Sequence, residues 1–191
     1  MENFKKYKLI LASKSPRRQQ LLKELGFYFE VYTKDVDESF SESLKAQEIP
    51  LYLCKKKADA FDKELTDNTL VITADTIVWI GDKVLNKPEN FDDAVRMLKL
   101  LSGKMHEVYT GVCLRSKQKI KTFYAVTKVY FKKLTQEEIE YYVTNYSPYD
   151  KAGSYGAQDW IGYIAIEKIE GSYFNVMGLP VKELYEELLK F

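Results

Sequence analysis

Cysteine and histidine are scarce in this chain. Its 191 residues include two cysteines, Cys54 and Cys113, and one histidine, His106. The cysteines form no CxxC pair, and a Cys/His zinc site needs more ligands than these. Two free thiols in a reducing cytosol are the expected state. An excess of one charge is also missing. The 29 Lys+Arg and 28 Asp+Glu leave a formal charge of +1, whereas a nucleic-acid binder usually shows a clear basic surplus. Any anionic ligand must therefore meet a local cluster of cations. No run approaches the roughly 18 apolar residues of a membrane span. The apolar run Leu9 to Ala12 is shorter than a signal peptide needs. No Pro/Gly/Ser-rich linker, repeat or low-complexity tract interrupts the chain. A soluble cytoplasmic protein is expected, with no nucleic acid or membrane as partner.

What is present fits a folded domain. Hydrophobic residues make up 46% and charged residues 30%, near the usual values for globular proteins. The length suits one domain, or two lobes sharing one sheet.

The opening reads as strand, turn and helix. Tyr7 to Ala12 is a short strand, Ser15 an N-cap and Pro16 the first helical position. Gly26 ends the helix, and a second strand spans Phe27 to Tyr32. A polar loop, Thr33 to Ala46, carries Asp35, Asp37 and Glu38. The next helix is expected from Glu48 to about Leu65. At about 100° per residue its apolar arc includes Leu53, Cys54, Ala58 and Phe61, and Lys57 points from within that arc. Leu70 to Ile80 reads as apolar strand segments interrupted by Asp75, followed by a turn at Gly81-Asp82. Asn90 caps a helix over Phe91 to Leu101. Met105 to Arg115 and Ile120 to Lys132 read as two long strands. Thr135 and Glu138 form a capping box for a helix ending near Asn145. After a glycine-spotted loop, Lys151 to Asp159, a strand is expected over Ile161 to Ile169. Gly171 to Gly178 is loop or short helix, and Pro180 opens the last helix. Early alternation of strands and helices predicts an α/β fold with a parallel or mixed sheet.

Several residues could carry chemistry. Ser13-Lys14-Ser15-Pro16-Arg17-Arg18 stands at a strand-to-helix junction, where free N–H groups and the helix dipole favour an anion. The same residues also make an ordinary N-cap followed by two solvated arginines. Asp75 follows an apolar strand, and a buried carboxylate there needs a cation, donors or a metal. Lys57 either snorkels to the surface or reaches an anion. His106 has no Ser or Cys partner at a suggestive spacing and reads as structural. Carboxylates that could hold Mg²⁺, with separate Lys and Arg for a polyphosphate, point to phosphoryl chemistry.

Leu11-Ala12-Ser13-Lys14-Ser15-Pro16-Arg17-Arg18 resembles the opening signature of the Maf family of nucleoside triphosphate pyrophosphatases. Asp37-Glu38, Lys57-Ala58, Ala74-Asp75-Thr76, Lys87-Pro88, Leu101-Ser102-Gly103-Lys104 and Thr110-Gly111-Val112 follow in that family's order. So do Lys151-Ala152-Gly153-Ser154-Tyr155-Gly156-Ala157-Gln158, Gly171-Ser172-Tyr173 and Gly178-Leu179-Pro180. The resemblance implies one domain over residues 1–191. Its fold would be a mixed twisted sheet flanked by helices, with two lobes around a cleft, similar to inosine triphosphate pyrophosphatases. It implies metal-assisted attack of water at the α-phosphate, releasing a nucleoside monophosphate and pyrophosphate. Mg²⁺ or Mn²⁺ would be the cofactor. Carried over by motif, Ser13, Arg17 and Arg18 would bind phosphates, and Lys57 and Lys87 would offset their charge. Glu38 and Asp75 would hold metal, with Asp75 the proton acceptor, and Gln158 would belong to the substrate-recognition set. The segment around Gln158 is similar to the subgroup acting on dTTP and UTP. A second subgroup acts on 7-methyl-GTP and commonly has glutamate where Gln158 stands. A non-catalytic nucleotide-binding regulator of cell division is the other reading attached to the family. Dimers are common in it, so a homodimer is within what the resemblance implies. One departure stands out: Asp159-Trp160 occupies the place of the family's usual Gly-Leu.

Overall fold

Apolar strands buried on both faces set the frame. In a computed structural model that describes residues 7–191, β1 (Lys8–Leu11) runs parallel to both β2 (Phe29–Val31) and β3 (Thr69–Ile80). The near-continuous apolar run Leu70-Val71-Ile72 is buried in β3, as a strand covered on both faces requires. Helix α1 (Pro16–Glu24) links β1 to β2, and α2 (Glu48–Asp59) precedes β3.

Beyond β3 the pairing turns antiparallel. Strand β4 (Lys83–Leu85) folds back on β3 through Gly81 and Asp82, both at positive φ, the geometry that a two-residue hairpin favours. Helix α3 (Phe91–Leu101) follows, capped by Asn90, whose side chain accepts from the Asp93 N–H. Next come β5 (Met105–Arg115), β6 (Ile120–Phe131) and α4 (Gln136–Tyr146), whose capping box is fully formed. Helix α5 (Trp160–Ala165), β7 (Ile166–Glu170), α6 (Tyr173–Val176) and α7 (Val181–Lys190) complete the described chain. The seven-stranded mixed sheet has the order β2-β1-β3-β5-β6-β7, with β4 on β3.

The chain divides into two units, with boundaries inside β3, β5 and β6. The first comprises Met1–Asp75, Thr110–Ala125 and Gly178–Phe191; the second comprises Thr76–Tyr109 and Val126–Met177. Each has its own core. In the first, Leu11, Leu22, Ile49, Phe61, Ile72, Leu114 and Leu188 are fully or almost fully buried. In the second, Leu98, Leu101, Val129, Phe131, Ile139, Tyr142 and Ile161 pack in one cluster. No helix among the described residues is long and apolar enough to cross a membrane.

Three expectations need correction. Asp75 does not interrupt or end a strand: β3 continues unbroken through it to Ile80. Its backbone stays in the strand while its side chain finds a cation. Helix α2 stops at Asp59 rather than near Leu65. The Lys34 ammonium takes the Ala60 carbonyl, and Phe61, Asp62 and Glu64 close i→i+3 turns instead. Finally, the segment expected as a strand over Ile161 to Ile169 is α5 followed by β7. Its short apolar run fits either state by pattern. Ile161 and Ala165, one helical turn apart, are both fully buried, so a single turn of helix satisfies the core. At Gly162 a Cβ would lie 1.9 Å from the Ala157 carbonyl oxygen, a close approach that only glycine allows.

Candidate active site

The first unit gathers four charged side chains from separate elements. Thr73 on β3 donates to the Cys54 carbonyl at 2.6 Å, fixing α2 against the strand two residues before Asp75. One turn along α2, Lys57 then faces Asp75, and its Nζ donates to Asp75 Oδ1 at 2.6 Å. Glu38, from the polar loop, brings Oε1 within 3.0 Å of the same ammonium. The side chains of Lys57 and Asp75 are only 17% and 12% exposed, against 51% for Glu38. The inward placement read from helical periodicity is therefore real, and it is an ion pair rather than a snorkelling chain.

Arg18 completes the group. Its Nε donates to the Gly178 carbonyl at 2.7 Å and a terminal nitrogen to the Ala74 carbonyl at 2.9 Å. Burial disfavours its charge and the nearby Asp75 favours it, and a guanidinium stays protonated in proteins. The result is a fixed cation on the residue beside Asp75. Ser13 is buried, and its hydroxyl accepts from the Ser15 N–H at 3.2 Å. Ser15 in turn caps α1 by accepting from the Arg18 N–H. The hydroxyls thus already occupy two of the N–H groups at this helix start. Arg17 stands half-buried in the same turn. Lys14 points elsewhere, to Asp35 at 2.8 Å, and Asp37 is paired with Lys56 at 3.1 Å.

A metal would have partners here. Glu38 and Asp75 converge on one cation, the Lys57 ammonium. Two carboxylates are what Mg²⁺ usually takes from a protein when substrate phosphates supply further oxygens. Among the described residues no group of three or more His, Cys, Asp or Glu could cage a metal, so the donor set suits a shared ion rather than a structural one.

Lys87 and Gln158 belong to the second unit. Lys87 is exposed. The preceding Asn86 carbonyl accepts from the Gly153 N–H at 3.1 Å, so the Lys87 loop is tied to the 151–159 loop that carries Gln158. That loop is closely built. Gly153 sits at φ +68, where a Cβ would press on Val78 at 2.8 Å. The Tyr155 hydroxyl meets His106 Nε2 at 2.8 Å. His106 is buried with its ring edge-on to Phe131, and burial holds its pKa down at about 3. It is the neutral structural histidine that the sequence suggests. Gln158 Oε1 is buried without a hydrogen-bond partner among the described residues. Trp160 packs on the Tyr141 ring at 4.8 Å between centroids.

Sequence reading missed Thr73, which fixes α2 against β3 beside Asp75. A threonine within a buried apolar strand was the one available signal for it.

The family model described as "Maf-like protein" matches residues 8–191. The chain belongs to that family. Its curated relatives match along their whole length. The "dTTP/UTP pyrophosphatase" of Phocaeicola vulgatus is 54% identical, with 100% of this chain and 99% of the relative covered. The protein of the same name from Parabacteroides distasonis is 53% identical, with 100% of each covered. That of Porphyromonas gingivalis is 48% identical, with 100% and 98% covered. Among solved structures, a HAM1 protein from Coxiella burnetii is similar with a TM-score of 0.51 at 14% identity, covering 97% of this chain and 100% of that one. At that identity the likeness speaks for the fold alone.

Proposed function

We propose that this chain hydrolyses dTTP and UTP to the monophosphate and pyrophosphate. One observation carries the reading: two carboxylates and two cations from four separate elements meet at one half-buried point, with Arg18 locked on backbone carbonyls beside Asp75. The names of the relatives, matched end to end, supply the substrate.

Each residue has a task on this reading. Arg18, Arg17, Ser13 and Lys57 bind phosphate oxygens, and Lys87 is a further cation for phosphate charge. Charge spread over the transferred phosphorus is stabilised by donors already in position. Asp75 orients a water and takes its proton as the water oxygen bonds to the α-phosphorus. The bond from that phosphorus to the α,β-bridging oxygen breaks, pyrophosphate leaves, and Asp75 returns the proton to solvent. Glu38 and Asp75 would hold a divalent cation, which when bound polarises a phosphate oxygen as a Lewis acid. Lys57 keeps the two carboxylates together in its absence. Gln158 reads the base, since its amide can both donate and accept. A cytoplasmic location goes with a nucleotide substrate.

The test is pyrophosphate release from dTTP, UTP, CTP, ITP and 7-methyl-GTP, with and without Mg²⁺ or Mn²⁺. The expected result is metal-dependent turnover, strongest on dTTP and UTP and abolished by Asp75→Asn. Preference for 7-methyl-GTP would overturn the substrate, and nucleotide binding without turnover would favour a regulator.

A further inference from the structure

We infer that Asp159 is a positioning residue for base selection, acting with Tyr142 to fix the turn that carries Gln158. This rests on the reading of Gln158 as the base-facing residue.

Asp159 occupies the N-cap position of α5, where an aspartate normally accepts from an N–H of the first turn. Here its side chain makes no capping bond. It turns back on its own loop, where Oδ2 accepts the Tyr142 hydroxyl proton at 2.8 Å. That hydroxyl also accepts from the Gly156 N–H at 3.1 Å. One buried phenol on α4 therefore holds the chain two residues before Gln158 and one residue after it. Burial and Asp159 push the Tyr142 pKa up, which keeps the hydroxyl as donor. The Asp159 N–H closes the turn onto the Gly156 carbonyl at 3.0 Å. Lys151 faces the same carboxylate oxygen at 3.6 Å, with side chains 12% and 18% exposed. Its nearer partner is Asp150 at 2.7 Å. Gly156 leaves room for the clamp, because a Cβ there would lie 2.5 Å from Asp159 Oδ2.

Gln158 itself has no partner at Oε1 among the described residues. Its amide is not oriented by a bond at that oxygen, so a backbone held on either side, which fixes where the side chain starts, narrows the directions it can take. An amide fixed in one direction distinguishes an imide edge, C=O beside N–H as in uracil and thymine, from the cytosine edge, where donor and acceptor are exchanged. A loosened turn lets the amide reorient and tolerates both. The residues that depart from the family's usual Gly-Leu thus have a place: Asp159 clamps the turn and Trp160 packs it against Tyr141.

The test compares UTP with CTP in wild type, Asp159→Ala, Asp159→Asn and Tyr142→Phe. Two measurements are made: steady-state turnover with Mg²⁺, and nucleotide affinity by calorimetry without added metal. Asp159→Ala and Tyr142→Phe should each cut the UTP:CTP ratio about tenfold, chiefly through KM and Kd, with kcat on UTP little changed. Their combination should add little, since both break one interaction. Asp159→Asn still accepts the Tyr142 proton and should keep the ratio within about threefold of wild type. A merely structural role predicts a lower Tm and equal losses on both nucleotides, with the ratio intact; that outcome overturns the inference. So does a wild type with no UTP preference in either measurement. UTP-selective binding without turnover would sink the pyrophosphatase reading alone, and the Kd ratios would still decide the role of Asp159. Should Asp159→Ala not fold, Tyr142→Phe carries the same comparison.

Discussion

The two units hold their candidate site residues by opposite means. In the first, Lys57, Asp75 and Glu38 meet as charges, and Arg18 is pinned on carbonyls. In the second, the 151–159 loop is shaped by glycines with no room for a Cβ, by the His106–Tyr155 contact and by the Tyr142 clamp. An ion cluster is reorganised readily by an incoming polyanion or cation, because each partner can be exchanged for another charge. A loop held by close approach and by hydrogen bonds to one buried phenol has fewer such alternatives. On the function proposed above, charge suits the handling of phosphate, and shape suits the discrimination of a flat base.

The sharpest way to break this contrast is Asp75→Asn. It keeps size and loses the proposed proton acceptor, so turnover should fall about 10²–10⁴-fold, while the loss of its charge opposite Lys57 lowers thermal stability by a smaller factor. Pyrophosphate release and a melting curve check it together. Gly162→Ala should do the reverse. With a Cβ forced against the Ala157 carbonyl, stability should drop by about 3 kcal/mol, read by urea unfolding, while the proposed Mg²⁺ binding by Glu38 and Asp75 is spared. Should Gly162→Ala melt like wild type, the loop is not held by shape.

A pH series gives a smaller effect. His106 is neutral in the fold down to about pH 3, whereas in the unfolded chain it takes a proton below about 6.5. Protonation thus favours unfolding. The contribution of His106 is fully present above that pH and is lost as pH falls towards 3, by about 1.4 kcal/mol per unit. Urea melts at pH 7 and pH 5 should therefore show a slope that His106→Phe reduces by one proton. The smallest effect belongs to Lys14→Ala. Its pair with Asp35 is exposed, and such pairs contribute little. Activity and Tm should both stay at wild-type values; a large loss of activity would mean that the opening signature binds phosphate through Lys14 as well.

Much of the local structure in both units was legible in the residues. The N-caps Ser15 and Asn90, the Thr135 capping box and the Gly81-Asp82 turn are local features, and each lies where the pattern put it. The inward Lys57 was readable because one lysine broke an apolar arc. Harder to read was whatever depends on a distant partner. Helix α2 ends early where Lys34, from the preceding loop, takes the carbonyl of Ala60, the residue that caps its end. Strand β3 survives a buried carboxylate because Lys57 arrives from α2. Helix α5 replaces an expected strand because Gly162 packs on Ala157 and two side chains one turn apart are both buried. Nothing in the spacing of Tyr142 reveals that its hydroxyl would hold two points of a loop.

Gly111 shows how a family signature can mislead. Within Thr110-Gly111-Val112 it has the look of a ligand contact. A Cβ there would instead lie 2.5 Å from the Pro50 carbonyl, with the Leu51 nitrogen at 2.7 Å. Its job is to let β5 lie against the start of α2, the helix that delivers Lys57. Such a glycine marks the scaffold and not the reaction. A related sequence that keeps Gly111 but has lost Asp75 would score well against the family and fold in the same way, yet lack the proton acceptor proposed above. Sorting enzymes from silent paralogues should therefore weigh the two positions separately.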